Sequence, residues 1–247
     1  MNRYSWIAVL LLIAAMSHAS EVTPIAHETV QINALTLNAE VEVLIYNPAS
    51  VAKEDSVTAI CYIFGDFLFQ TFAGTVQYLS REMDIIPNVI LIGINEIEGK
   101  PINNFQDAYS DFITKDLVTY LNKRFTLKND GVLFGHSRAT RQVIDVMQRG
   151  STIFSSFILS APWIVEPQYS VLDTSLQNLA RPINVFCTQS EQDLSRVSGK
   201  ASHHNLMSLW YRHADNVKME YHYFDGETHM SIPPLSFYYG VKHLLGQ

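Results

Sequence analysis

Gly131-Val132-Leu133-Phe134-Gly135-His136-Ser137-Arg138-Ala139-Thr140 is an apolar strand pattern that runs into a Gly-x-Ser turn and continues as a helical pattern through Met147. A serine at the apex of a sharp strand-to-helix turn is the context of a nucleophile elbow, which lifts the hydroxyl above the end of a sheet. Such a turn needs small residues on either side of the serine, because the helix passes close to the strand. Gly135 meets that need. Ala139 stands where a second glycine is usual and adds one methyl group at the close approach.

On either side of this stretch the chain repeats the same alternation. Short, β-branched apolar runs at Val57–Phe64, Val89–Ile94, Val132–Phe134, Ile153–Leu159, Ile183–Cys187 and Val217–Phe224 read as strands buried on both faces. Upstream, Glu40–Tyr46 begins with alternating polar and apolar residues, which predicts an outer antiparallel strand with Thr29–Leu35 as its partner. Helical patterns lie between the strands. The clearest is Asp107–Arg124, where Tyr109, Ile113, Leu117, Tyr120 and Leu121 form one apolar stripe. Strands alternating with helices predict an α/β protein: a mostly parallel central sheet with helices on both faces. The longest irregular stretches, about 95–106 and 162–179, follow strand C-termini, where an open α/β sheet keeps its site.

The chain has 247 residues, 47% of them hydrophobic and 17% charged, enough apolar surface for a large core. Lys+Arg at 17 against Asp+Glu at 24 gives a net charge of −7, which argues against a nucleic-acid surface built on clustered cations. No metal-ligand spacing and no cofactor motif is present. Arg3, the apolar run Ile7–Met16 and the small residues of Ser17-His18-Ala19 read as a signal peptide over residues 1–19, cleaved after Ala19. That run is shorter than the roughly 20 residues needed to cross a bilayer. A single domain over 20–247, exported to a periplasm or secreted and not held in the membrane after cleavage, is therefore expected. Cys61 and Cys187 fall in separate buried strands and are expected to be free thiols.

A serine hydroxyl needs a base to take its proton. His229, in Phe224-Asp225-Gly226-Glu227-Thr228-His229, follows the last predicted strand, as the chain order Ser…acid…His requires. The acid should come from the loop after the preceding strand, Thr188-Gln189-Ser190-Glu191-Gln192-Asp193. Glu191 is favoured, with Asp193 as the alternative; Asp225 reads as a turn residue. The oxyanion donors are expected to be the backbone N–H groups of Arg138 and Asp66, the latter in the turn Phe64-Gly65-Asp66-Phe67. His136 is expected to pack or hydrogen-bond locally.

Several segments in order resemble the putative-esterase family of α/β-hydrolases, which includes S-formylglutathione hydrolase, siderophore esterases such as enterochelin esterase, and mycolyltransferases. They are Tyr62-Ile63-Phe64-Gly65-Asp66-Phe67, Val89–Ile94, Phe105–Phe125, Gly135-His136-Ser137, Leu159-Ser160-Ala161-Pro162-Trp163, Ser190-Glu191 and Gly226-Glu227-Thr228-His229. The resemblance implies an α/β-hydrolase fold and a serine esterase working through an acyl-enzyme on a small-molecule ester. Trp163 and Arg138 are the expected substrate-binding residues. Arg138 and Arg141 open the elbow helix and raise the expectation of an anionic or siderophore-type ester. Phe64, where many members carry an acidic residue, and Arg138-Ala139-Thr140 in place of the usual small residues depart from the pattern. Two alternatives follow: a weakly active or inactive binding protein on the same fold, or an acyltransferase.

Overall fold

The computed structural model describes residues 24–48, 55–63, 65–96, 106–164 and 168–246, so the expected signal peptide and its cleavage site lie outside the described residues. The apolar runs become strands: β1 Glu28–Ala34, β2 Ala39–Tyr46, β3 Ser56–Ile63, β4 Val89–Ile94, β5 Thr126–Leu127, β6 Gly131–His136, β7 Phe154–Ser160, β8 Ile183–Ser190 and β9 Val217–Phe224. Eight of them form one sheet in the order β1-β2-β4-β3-β6-β7-β8-β9, and the short β5 pairs with the start of β3. The hairpin β1–β2 and the pair β2–β4 are antiparallel, while every pairing from β4 through β3 to β9 is parallel.

The helices are α1 Gly65–Gln77, α2 Gln106–Asp111, α3 Val118–Arg124, α4 Thr140–Arg149, α5 Gln168–Gln177, α6 Glu191–Ser195, α7 Val197–Arg212 and α8 Ile232–Leu245. Alternation along the strands sends successive side chains to opposite faces, and the core divides accordingly. Ile60 and Tyr62 of β3 join Phe69 and Phe72 of α1 and Phe237 of α8 on one face. Ala59, Cys61 and Ile63 of the same strand join α2–α4 and α7 on the other. On the first face Phe237 stacks flat on Phe72, ring centroids 3.9 Å apart, with Phe134 edge-on to both.

Three readings change in the structure. The run 106–124 is helical, but α2 and α3 are joined by a π-helical segment, Phe112–Leu117. Tyr109, Ile113, Leu117 and Leu121 are spaced by four residues each, and in an unbroken α-helix the last would sit about 120° round from the first. The wider π turn takes up that drift, and all four are buried. Strand β9 is not buried on both faces: it is the sheet edge, with Lys218, Glu220 and Tyr223 exposed, as its interspersed polar residues allow. The stretch 162–179 is not irregular throughout, since it contains α5. Cys61 on β3 and Cys187 on β8, with β6 and β7 between them, are free and buried, and burial pushes the Cys187 thiol up to about 12. Among the described residues no helix is long and apolar enough to cross a membrane.

In chain order the sheet grows from β3 to β4 on one side and then jumps back to β6 on the other, so β3 and β6 flank the switch point. Loops leaving neighbouring strands in opposite directions open a crevice there, at the strand C-termini. Both segments expected to carry the reaction leave the sheet at this crevice: Gly65-Asp66 begins α1 after β3, and Ser137 follows β6.

Candidate active site

The elbow forms as its sequence requires. Ser137 has φ +54°, a left-handed conformation that costs a non-glycine residue about 1–2 kcal/mol. It turns the chain from β6 into a single 3₁₀ turn, Ser137–Ala139, ahead of α4. The Thr140 hydroxyl donates to the Ser137 carbonyl at 2.6 Å and secures that turn. At Gly135 a Cβ would lie 2.6 Å from Val143 Cγ2 and 2.8 Å from the Ala139 carbonyl oxygen, so only glycine lets α4 cross the strand this closely. Ala139 is fully buried at an ordinary φ of −67°, and its methyl belongs to the core on that face. The departure at this position therefore leaves the elbow intact.

The His229 imidazole stands 2.9 Å from Ser137 Oγ through Nε2 and 2.8 Å from an Asp193 carboxylate oxygen through Nδ1. Asp193, rather than the favoured Glu191, meets the histidine. Ser190 caps α6: its Oγ accepts from the Asp193 N–H at 3.1 Å and donates to the other carboxylate oxygen at 2.6 Å. Residues 191 and 193 lie about 200° apart around a helix, so fixing Asp193 inward turns Glu191 outward. Glu191 is exposed and accepts from the Gly226 N–H at 3.1 Å, bracing the histidine loop. The Asp193 carboxyl is buried, and although burial by itself would raise its pKa, the bonds from His229 and Ser190 outweigh that and hold it below the usual carboxylate range.

Gln192 and Ser236 carried no sequence reading of their own, while His136 packs and hydrogen-bonds locally as expected. Gln192 accepts the His229 backbone N–H at 2.9 Å and thereby fixes the histidine loop against α6. The His136 ring packs on His229 with centroids 4.6 Å apart. Its Nδ1 lies 3.0 Å from Ser160 Oγ, which is linked through Ser236 to Thr188, so four strand and helix residues share one buried polar chain. Burial, reinforced by the neighbouring His229, pushes the His136 pKa down to about 4, which favours a neutral ring near pH 7. The signal available for Asp193 was Ser190-x-x-Asp193, the spacing of an N-terminal helix cap.

A pocket of about 270 Å³ opens at Ser137 and His229, walled by Ala161, Pro162 and Trp163 on one loop and by Arg196, Ser198 and Gly199 at the start of α7. Trp163 is 48% exposed, and the Arg141 guanidinium lies over its ring at 5.8 Å. Arg138 lines the same pocket, while Arg141 lines a neighbouring one of about 190 Å³. Asp66 sits in the first turn of α1, and the neighbouring β3 and β6 bring that turn and the elbow to the same end of the sheet. The site thus brings a hydroxyl within hydrogen-bond reach of an imidazole that a carboxylate orients, beside an open cleft, an arrangement that can support acyl transfer.

The sequence model of the family described as Putative esterase matches residues 34–223. No curated protein matches the chain. Among solved structures, an IroE-like serine hydrolase from Shewanella oneidensis superposes with a TM-score of 0.77 at 20% identity, over 89% of this chain and 80% of that one. The BES protein from Bacillus cereus gives 0.75 at 19% identity, over 93% and 100%. The siderophore hydrolase EstB from Aspergillus nidulans gives 0.73 at 13% identity, over 92% and 96%.

Proposed function

Because this chain belongs to the Putative esterase family and is a carboxylic ester hydrolase on an α/β-hydrolase fold, we propose that it works through a Ser137–His229–Asp193 triad and a covalent acyl-enzyme. The observation that carries this reading is the single imidazole bridging Ser137 Oγ and the Asp193 carboxylate at 2.9 and 2.8 Å. Ser137 Oγ adds to the ester carbonyl as His229 Nε2 takes its proton, and the new negative charge settles on the carbonyl oxygen. Asp193 accepts from Nδ1 and stabilises the imidazolium. The backbone N–H groups of Arg138 and Asp66 are assigned to that oxyanion, because both lie in the first turns that leave β6 and β3 at the switch point. Collapse expels the alcohol, which leaves with the proton from His229. A water molecule then repeats the sequence on the acyl-enzyme, releasing the acid and restoring Ser137.

Trp163 forms an apolar wall of the pocket. The name of the Aspergillus neighbour makes a siderophore-type ester the substrate to test first. Export rests on the sequence of residues 1–19 and is tested by the N-terminus of the mature chain, expected at Ser20. The triad is tested by a fluorophosphonate probe, which reacts only with an activated serine. Labelling is expected in the wild type and absent in Ser137→Ala and His229→Ala; equal labelling of Ser137→Ala would refute the assignment.

A further inference from the structure

Three of the arginines are neutralised by acids and a fourth is held by backbone carbonyls. Arg124 grips Glu28, Arg149 grips Asp107, Asp111 and Asp145, Arg212 grips Asp173, and Arg181 is held by three backbone carbonyls. The two arginines at the reactive serine are treated differently. Arg138 and Arg196 both line the pocket, both are exposed, and neither guanidinium makes an ion pair or a hydrogen bond with a described residue. The acid that shares that pocket with them is Asp193, whose two carboxylate oxygens are already taken by His229 and Ser190.

The backbone fixes where both arginines stand. Arg138 follows the nucleophile within the 3₁₀ turn. Arg196 joins α6 to α7, and its N–H donates to the Asp193 carbonyl at 3.3 Å. Gly199 holds that junction against the acid loop, since a Cβ there would fall 2.0 Å from the Asp193 carbonyl oxygen. Two guanidiniums without an ion-pair or hydrogen-bond partner among the described residues are therefore tied, one residue and three residues along the chain, to Ser137 and to Asp193. In a cleft that a bound substrate empties of water, an anion facing them gains far more than it would in bulk solvent. On a molecule with net charge −7, whose surface repels anions at long range, this local reversal of sign selects by charge.

We propose that Arg138 and Arg196 form an anion subsite beside Ser137, so that the preferred substrates are esters bearing a carboxylate or another anionic group. This rests on the triad reading above and adds the charge class of the substrate to it. The probes are matched pairs: p-nitrophenyl valerate against mono-p-nitrophenyl glutarate, in which a terminal methyl becomes a carboxylate on the acyl side, and phenyl valerate against p-carboxyphenyl valerate, which places the charge on the alcohol side. The readout is the anionic-to-neutral ratio of kcat/KM within each pair. In the wild type one pair should favour the anion about tenfold or more, and added salt should reduce that preference. Arg196→Gln should lower the ratio five- to tenfold, Arg196→Glu should lower it further, and Arg196→Lys should restore part of it. Ser137-dependent turnover with ratios identical in the wild type and Arg196→Gln for both pairs would overturn the anion subsite and leave the esterase reading standing. No Ser137-dependent turnover of any of the four esters would overturn both.

Discussion

Two carboxylates two positions apart at the start of α6, Glu191 and Asp193, do different work. Asp193 reaches the imidazole because Ser190 captures it from both sides, through its backbone N–H and through its carboxylate. Replacing Asp193 by Asn removes the negative charge and can present an amide N–H to Nδ1, which favours the unproductive His229 tautomer, and a loss in kcat of about 10⁴ is expected from the behaviour of such triads. Glu191→Gln keeps an acceptor for the Gly226 N–H and should cost less than about tenfold; steady-state kinetics on one ester separates the two. His136 bears on stability. Its pKa is pushed down to about 4, below the ordinary value of about 6.5. The unfolded chain therefore binds the extra proton first as pH falls. The contribution of the neutral ring is complete above about 6.5 and is lost between 6.5 and about 4, at up to about 1.4 kcal/mol per pH unit. Urea unfolding across this window should show a steeper acid loss in the wild type than in His136→Gln. Equal slopes would mean that the ring is not held neutral by its surroundings.

At the scale of elements, glycines decide which helices touch the site. Gly135 lets α4 cross β6 and places Ser137 at the apex; Gly199 lets the first turn of α7 lie against the acid loop. Gly199→Ala would place a Cβ 2.0 Å from the Asp193 carbonyl oxygen, so α7 or the loop must move. Because Asp193 and Arg196 belong to that junction, kcat/KM is expected to fall by at least about tenfold, since misplacement by 1 Å can cost about 10² in rate. Far-UV circular dichroism should stay helical. Wild-type kinetics in Gly199→Ala would show that the junction does not position the triad. The periodicity that reveals Asp107–Arg124 as helical cannot reveal the π segment inside it, because a four-residue spacing fits either a drifting α stripe or a wider turn.

Across the molecule, the two faces of the sheet are locked by different means. The face under α1 and α8 is aromatic: Phe72, Phe134 and Phe237 come from α1, β6 and α8, and their contact spans the sheet beneath the switch point. Phe237 is fully buried, and Phe237→Ala should reduce the unfolding free energy by about 3–5 kcal/mol, through lost transfer energy and the cavity left behind. Guanidinium titration measures that loss; a change below about 1 kcal/mol would mean that the neighbours collapse into the space. The same helix supplies Ser236, which links Ser160 of β7 to Thr188 of β8. α8 therefore carries both an aromatic and a polar tie to the strands that support the triad.

The sequence by itself determined the α/β architecture, the turn at Ser137 and the placement of His229 just after the last strand. These rest on local signals: unbroken β-branched runs for buried strands, Gly-x-Ser between a strand and a helix, and a histidine placed just after a strand. It also pointed to free cysteines, because Cys61 and Cys187 fall in strands that the inferred sheet order does not place side by side. The choice of Asp193 over Glu191 was made by the tertiary structure, since both are carboxylates in one loop and only the direction of a short capped helix separates them. The edge position of β9, the buried chain beneath His136, and the convergence of Arg196 with Arg138 are likewise tertiary. Each depends on contacts between segments tens of residues apart, and a single sequence carries no periodicity or spacing that encodes such a meeting.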